Sequence, residues 1–502
     1  MNTLQTIRPD LLTLSAEQIQ TLMPYVAVFG GTIIATLACV LKKISPKWPV
    51  FILTLVTCAA GIYFSAGLLH GQESHTLFNG MMELDPFSNL FNIIFLASAA
   101  LTTMASFRYL DREKLQHPEY YVLVLFAALG MMLLTSAMDL IVGFIALEIM
   151  SLSVYVLVGF RRADRRCNEA ALKYFILGSA ASAILLYGAA LIYGSTGSTG
   201  LHGILTFLRA HPQETTPMFT LGAWMVLVGF LFKIACVPFH MWMPDVYEGA
   251  PTPVTGFMTT GLKAAAFASF LRVFESLGYG SVLTDVIQTH FHNILWAAAA
   301  ITMLVGNFVA LTQTNLKRML AYSSIAHTGY LLVGMIAGSG SEQGYSPVVM
   351  YLISYAVMNL GAFIILAMLS QREDSALNLS DMAGLSRRHP WLSFAMGVFM
   401  FSMAGIPPTA GFAAKYLLFY SAIQAGEIPL VVISVLCSAV SVYYYLRVLV
   451  YMYMRDPVGS PAAPRASVWS TLAVAAMVTM TLQIGILPAQ VMAAAKRAFI
   501  TL

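Results

Sequence analysis

LGAWMVLVGFLFKIACVPFHMWMPDVYEGAPTPVTGFMTTGLK, residues 221–263, carries a lysine in its apolar centre (Lys233) and a proline five residues later (Pro238). A second centred lysine, Lys263, follows one span on. A charged side chain at bilayer mid-depth costs at least ~2.5–3.5 kcal/mol, so two this close together argue for a function. Pro238 has no N–H to offer the carbonyl of Ile234, so the helix must kink or break there. A broken helix in lipid persists only where it faces protein or a water-filled cavity. Lys233 is therefore expected beside buried polar backbone and water, the surroundings of an ion path.

Working outward, the chain has 502 residues, 58% of them hydrophobic and 10% charged. No soluble core absorbs that much apolar surface, so the composition predicts an all-α polytopic membrane protein. Apolar runs place fourteen spans near 22–42, 49–70, 85–107, 119–137, 138–160, 168–194, 218–243, 252–275, 291–312, 317–338, 347–369, 391–424, 428–453 and 466–490. The first 21 residues hold one arginine and no cleavable-signal core, so the first span is expected to act as its own insertion signal. The cysteines (Cys39, Cys58, Cys167, Cys236 and Cys437) show no CxxC spacing. They suggest neither disulfides nor an iron–sulfur or zinc site. Cys167 alone falls in a loop, where a thiol reagent should reach it. No metal site is expected, because no His/Cys/carboxylate cluster is visible. Neither GxGxxG nor a P-loop occurs, so nucleotide binding has no support, and no nucleic-acid partner is expected.

Lys and Arg fall on alternate loops: Lys42, Lys43 and Lys47; Arg108, Arg112 and Lys114; Arg161, Arg162, Arg165 and Arg166; Lys317 and Arg318; Arg372, Arg387 and Arg388; Arg455 and Arg465. The opposite side holds only Arg8, Arg209, Lys496 and Arg497. The positive-inside rule then puts the basic loops in the cytoplasm and both termini outside, in keeping with an even span count. FKIACVPF (232–239) is echoed by FSMAGIPP (401–408), and YVLVGF (155–160) by YLLVGM (330–335). An offset of five spans inverts the second copy, and inverted repeats with paired broken helices are a transporter signature. The expected organisation is three leading helices (1–118), a first five-helix repeat (119–275), a second (291–453), and a closing helix (466–490).

Six basic residues lie within spans: Lys173, Lys233, Lys263, Arg272, Lys415 and Arg447. Lys233, Lys263 and Lys415 are too deep to reach the interface by snorkelling. Lys415 follows the Pro407–Pro408 pair, which strips the carbonyls of Met403 and Ala404 of their helical donors. Glu148, near the middle of its span, is the natural counter-ion of Lys233; burial and a carboxylate push a lysine's pKa in opposite directions. Lys173 lies near a span end, where snorkelling or a structural pairing competes with a place on the path. His327, in SSIAHTGYLL, is either a proton relay or a satisfied core residue, and His240 stands the same way. Arg272 and Arg447 read as structural, and Asp139 as an interfacial cap.

The centred Glu148, GFLFKIACVPFHMWMPDVYEGAPTPV, LKAAAF, KRMLAYSSIAHTGY and PPTAGFAAKYLLF resemble the antiporter-like proton-pumping membrane subunits of respiratory complex I, over nearly the whole chain. Lys415 sets the chain apart from the branch with a glutamate there. Its end soon after the last span sets it apart from the branch with a long lateral helix. The resemblance implies a subunit of an NADH:quinone oxidoreductase translocase in a bacterial inner membrane. Glu148, Lys233, Lys263 and Lys415 would form the proton path, with Lys173 counted alongside. It also implies no cofactor on this chain: FMN, iron–sulfur clusters, NADH and quinone would be bound by other subunits. The implied partners are those subunits, neighbouring antiporter-like subunits among them, and lipids. Two other readings stand beside it. A Mrp-type cation/proton antiporter subunit would share most motifs, and a non-conducting scaffold would have no use for four buried charges.

Overall fold

The computed structural model describes residues 15–40, 47–69, 71, 74–211, 216–276, 285–371, 374–375, 377–457 and 467–499. Arg8, Lys42, Lys43, Arg372 and Arg465, used above for orientation, lie outside these residues. Three helices lead: α1 (Ala16–Val40), α2 (Lys47–Leu68) and α3 (Pro86–Glu113). A small antiparallel hairpin, β1 (His75–Leu77) and β2 (Met82–Leu84), lies before α3. There follow α4 (Glu119–Ser136), α5 (Leu140–Val158), α6 (Arg165–Thr196), a short α7 (Leu201–Ala210), α8 (Pro217–Lys233) and α9 (Trp242–Gly249). Next, α10 (Thr252–Phe257) runs through a π turn (Met258–Leu262) into α11 (Lys263–Ser276). The remainder is α12 (Asp285–Thr312), α13 (Leu316–Gly338), α14 (Ser346–Leu369), α15 (Leu385–Arg388), α16 (Pro390–Ala404), α17 (Ala410–Gln424), α18 (Ile428–Met454), α19 (Val468–Ile486) and α20 (Pro488–Phe499).

Twelve of these helical stretches are long and apolar enough to cross a membrane unbroken. The pairs α8–α9 and α16–α17 are the two broken spans, so the fourteen expected crossings are all present. Local chemistry explains the starts. Asp85 and Ser88 close a capping box on α3, with Pro86 in its first turn. Asp139 accepts from the amides of Ile141 and Val142, which makes it the expected cap. Thr216 and Asn315 cap α8 and α13 in the same way.

The two five-helix units repeat in detail. Around Asp139, Leu140 N donates to Thr199 O and Leu201 N to Met138 O; around Asn315, Leu316 N donates to Leu377 O and Leu379 N to Thr314 O. Gly130 lets α4 approach α5 so closely that a Cβ would stand 2.5 Å from Met150 N. Gly306 does the same for α12 against Ala326 N of α13, also at 2.5 Å. Both breaks turn on a residue with positive φ, Ala235 at 55° and Gly405 at 87°, and both contain a cis X–Pro bond. Five crossings separate the copies, so corresponding connections lie on opposite membrane faces and the second unit is inverted.

Every residue from Thr252 to Phe274 is buried, so the α10–α11 helix is the centre of the molecule, packed against α3, α4 and α14. The outer helices keep apolar faces exposed, among them Ile145, Leu152 and Val156 on α5 and Leu436 on α18. Cys167 does not lie open in its loop. It is fully buried at the start of α6, and its Sγ donates to Val158 O (2.8 Å).

Candidate functional site

The breaks come first, because they decide where polar groups sit. With Pro238 unable to donate, Ile234 O accepts from Thr328 Oγ1 of α13 instead (2.8 Å). Phe232 O accepts from Trp242 Nε1 (3.2 Å). In the second break, the orphaned carbonyls of Met403 and Ala404 accept from Lys415 Nζ itself (3.0 and 3.3 Å), and Ser438 Oγ takes a third bond at 2.9 Å. A lysine thus serves as the missing donor of a broken helix.

Lys233 ends α8, and its Nζ donates to Ser151 Oγ on α5 (3.0 Å). Glu148 lies one turn before that serine, and its buried Oε1 has no hydrogen-bond partner among the described residues. The expected direct pair is not closed: the ammonium's hydrogen bond goes to Ser151, and the buried Oε1 has none among the described residues. Ser151 takes the ammonium in the carboxylate's place.

Lys263 follows the π turn, which holds one residue more per turn than an α-helix and so re-aims the side chains beyond it. Its ammonium donates to Ser324 O (2.5 Å) and Ser324 Oγ (2.7 Å), and lies 5.0 Å from the centre of the Tyr355 ring. One turn along α13, His327 bonds Tyr351 OH through Nδ1 (2.6 Å) and Tyr445 OH through Nε2 (3.2 Å). Tyr445 also bonds Ser323. On the far side, Lys415 Nζ lies 5.2 Å from the Tyr330 ring, whose centre is 5.7 Å from that of the His327 ring. His327 therefore stands on the polar line between the two lysines. Sequence reasoning had left it undecided.

The structure places Lys173 elsewhere. Its Nζ lies 2.8 Å from both Glu169 and Asp245, and its side chain is 41% exposed. Arg318 joins Asp245 (2.9 Å) to Glu248 (3.0 Å) in the same surface network. His240 sits just past the first break, and its buried Nδ1 has no partner among the described residues. Arg272 holds Asp85 with both carboxylate oxygens (2.9 and 2.8 Å), and Arg447 caps the end of α12 through Leu311 O and Gln313 O (2.9 and 2.5 Å). Both contacts are of the kind expected for structural arginines. Among the described residues no cluster could hold a metal ion.

Sequence reasoning missed the hydroxyls that connect the charges. Ser151, Ser324, Ser438, Tyr351 and Tyr445 are unremarkable in composition. The signal available was helical spacing, with serines three residues from Glu148 and from His327, on the same faces. It also missed a buried ion cluster under the basic face, made of Arg161, Asp374, Lys317, Glu113 and Tyr109.

A family model described as "NADH:quinone oxidoreductase/Mrp antiporter, TM" matches residues 137–441, both repeats less their outer edges. A protein of Trichlorobacter lovleyi named NADH-quinone oxidoreductase subunit N is 46% identical over 423 residues, 84% of this chain and 85% of its own length. One of the same name from Myxococcus xanthus is 40% identical over 96% of this chain and 98% of its own. A chain of respiratory complex I from Thermus thermophilus superposes with TM-score 0.80 at 36% identity, covering 95% of this chain and all of that one. A chain of the Mrp complex of Dietzia sp. superposes with TM-score 0.82 over 97% of both chains at 19% identity, a likeness of fold alone. The sequence and both repeats agree, and the chain belongs to the NADH:quinone oxidoreductase/Mrp antiporter transmembrane family.

Proposed function

We propose that this chain is a proton-translocating membrane subunit of an NADH:quinone oxidoreductase, and that Lys233, Lys263, His327 and Lys415 carry the protons. The single observation that carries the reading is the buried polar line at the molecule's centre. Lys263 binds Ser324, His327 bridges two tyrosine hydroxyls one turn away, and Lys415 plugs the opposite break. Each member is a group that can take or give a proton, or a hydroxyl that can pass one on. The relatives named subunit N favour the NADH-linked assembly over a Mrp antiporter. NADH oxidation, FMN, iron–sulfur clusters and quinone then belong to other subunits, and this chain supplies coupling.

Chemically, each half of the inverted repeat supplies one path from a membrane face to mid-depth, and Lys263 joins them. With the basic face in the cytoplasm of a bacterial inner membrane, protons enter there, load Lys233 and Lys263, and leave past Lys415. Glu148 sits on the exposed side of α5, where a neighbouring antiporter-like subunit would meet it. Its approach to Lys233, displacing Ser151, is the event that would switch the lysine's affinity for a proton. Lys173, in its exposed network, belongs to the mouth rather than the path.

The test is at Lys263. Lys263→Met keeps the stem but binds no proton; Lys263→Arg keeps the charge but stays protonated, its pKa remaining above ~12. Both are expected to lower protons pumped per NADH oxidised in reconstituted vesicles, with assembly checked on native gels. Arg behaving like Lys while Met fails would make Lys263 a structural cation and sink the relay.

A further inference from the structure

The ion cluster beneath the basic face lies outside the polar line, yet it grips both helices that form the line's centre. Asp374, in the connection after α14, accepts at Oδ2 from Tyr109 OH (2.9 Å), Thr252 N (3.0 Å) and Lys317 Nζ (3.3 Å), with an Arg161 nitrogen 3.6 Å away. Lys317 Nζ also donates to Ala250 O (2.5 Å). Thr252 begins α10, and Ala250 lies just before it. Lys317 lies in the first turn of α13. The cluster therefore binds the start of the Lys263 helix to the start of the Ser324 helix. Lys317 and Ser324 lie seven residues apart on α13, two turns along one face. Lys263 lies eleven residues beyond Thr252, past the π turn. The side chains of Arg161, Asp374 and Lys317 are all at most 7% exposed, so water screens the cluster little.

We infer that Asp374 is a positioning residue for proton transfer. Through Lys317 and the α10 terminus it fixes the axial register between the α10–α11 helix and α13, and so sets Lys263 against Ser324. The inference rests on the relay role proposed for Lys263. A slip of one helix by ~1.5 Å, a single residue's rise, would break both short Lys263–Ser324 contacts.

Asp374→Asn keeps the side chain's shape and removes its charge. It is expected to lower protons pumped per NADH severalfold in assembled complex, and Asp374→Glu to recover most of that loss. In a Lys263→Met background, Asp374→Asn is expected to add no further loss, because both act through one lysine. A further loss there, or wild-type proton yield in Asp374→Asn while Lys263→Met is impaired, would overturn this inference and leave the relay standing. Wild-type yield in Lys263→Met would instead overturn the relay. Removing one member of a buried ion cluster leaves uncompensated charge. Should Asp374→Asn fail to assemble, the Asp374→Asn/Lys317→Met pair removes both charges together. It is expected to assemble with low proton yield, and full yield in that double variant would count against the register role.

Discussion

Lys263 and Lys415 solve one problem in two ways. Each ammonium, far from bulk water, needs several acceptors. Lys415 finds them in carbonyls that two prolines set free, and Lys263 in a serine on the next helix. The depth of both lysines, and the free carbonyls beside Lys415, were legible in the sequence, since proline's missing N–H identifies the orphaned acceptors by counting back four residues. Ser324 was not legible, because its place depends on how α11 and α13 meet. Asp374 was hidden for a related reason: in the chain it is one of three acids, with Glu373 and Asp381, in a connection that also holds three arginines, and only folding gathers its donors. Burial works to raise this carboxyl's pKa, but Lys317 and Arg161, with hydrogen bonds from Tyr109 and Thr252, win and hold it below the usual carboxylate range. For a carboxylate whose folded pKa is depressed, the stability it adds is complete above the unfolded pKa of ~3.9 and is lost only as pH falls through the lower folded value. The Asp374 carboxylate should therefore contribute no pH dependence of its own between about pH 7.5 and 5. Hydrogen exchange at the Thr252 amide, corrected for intrinsic rate, is expected to show constant protection across that window. Protection that decays towards pH 5 would mean a carboxyl that protonates early.

At the scale of elements, the two breaks are matched in backbone but not in how they are satisfied. Ala235 and Gly405 occupy equivalent positive-φ positions, and a proline follows each by three residues. The paired motifs at 232–239 and 401–408 made the two breaks recognisable as a pair, but they align Ala235 with Ala404 and so miss the match to Gly405 by one residue. Yet the first break borrows a donor from α13, Thr328 Oγ1 to Ile234 O, while the second uses its own lysine. The difference leaves Lys233 free to reach α5 and Ser151, and keeps Lys415 at the break. Thr328→Val is close to isosteric and deletes the hydroxyl that Ile234 O relies on. An unsatisfied buried acceptor costs ~1–3 kcal/mol, so the subunit should lose thermal stability by about that much. The change is expected to appear as a lower dissociation temperature on native gels, with α13 otherwise intact. Unchanged stability would mean that the carbonyl is served by water from a cavity at the break.

For the whole molecule, orientation follows from charge and span count together. Among the described basic residues, Lys47, Arg108, Arg112, Lys114, Arg161, Arg162, Arg165, Arg166, Lys317, Arg318, Arg387, Arg388 and Arg455 share one face, while Arg209, Lys496 and Arg497 lie on the other. The fourteen crossings put the start of α1 and the end of α19 on the sparsely charged face. On the positive-inside rule we propose that this face is external. The buried Cys167 is no reporter for this, despite its place in a basic connection, because α6 begins early enough to cover it. Introduced cysteines serve instead. Gln371 is exposed on the basic face and Glu342 is exposed on the other, in the connection between α13 and α14. Of the native thiols, four are buried and Cys39 is half-buried, so background labelling should be low. In intact cells a membrane-impermeant maleimide is expected to label Glu342→Cys and spare Gln371→Cys, and in inside-out vesicles to do the reverse. Permeabilised membranes supply the control that both sites can react. Labelling of Gln371→Cys from outside intact cells would invert the molecule, and with it the direction of proton movement from Lys233 towards Lys415.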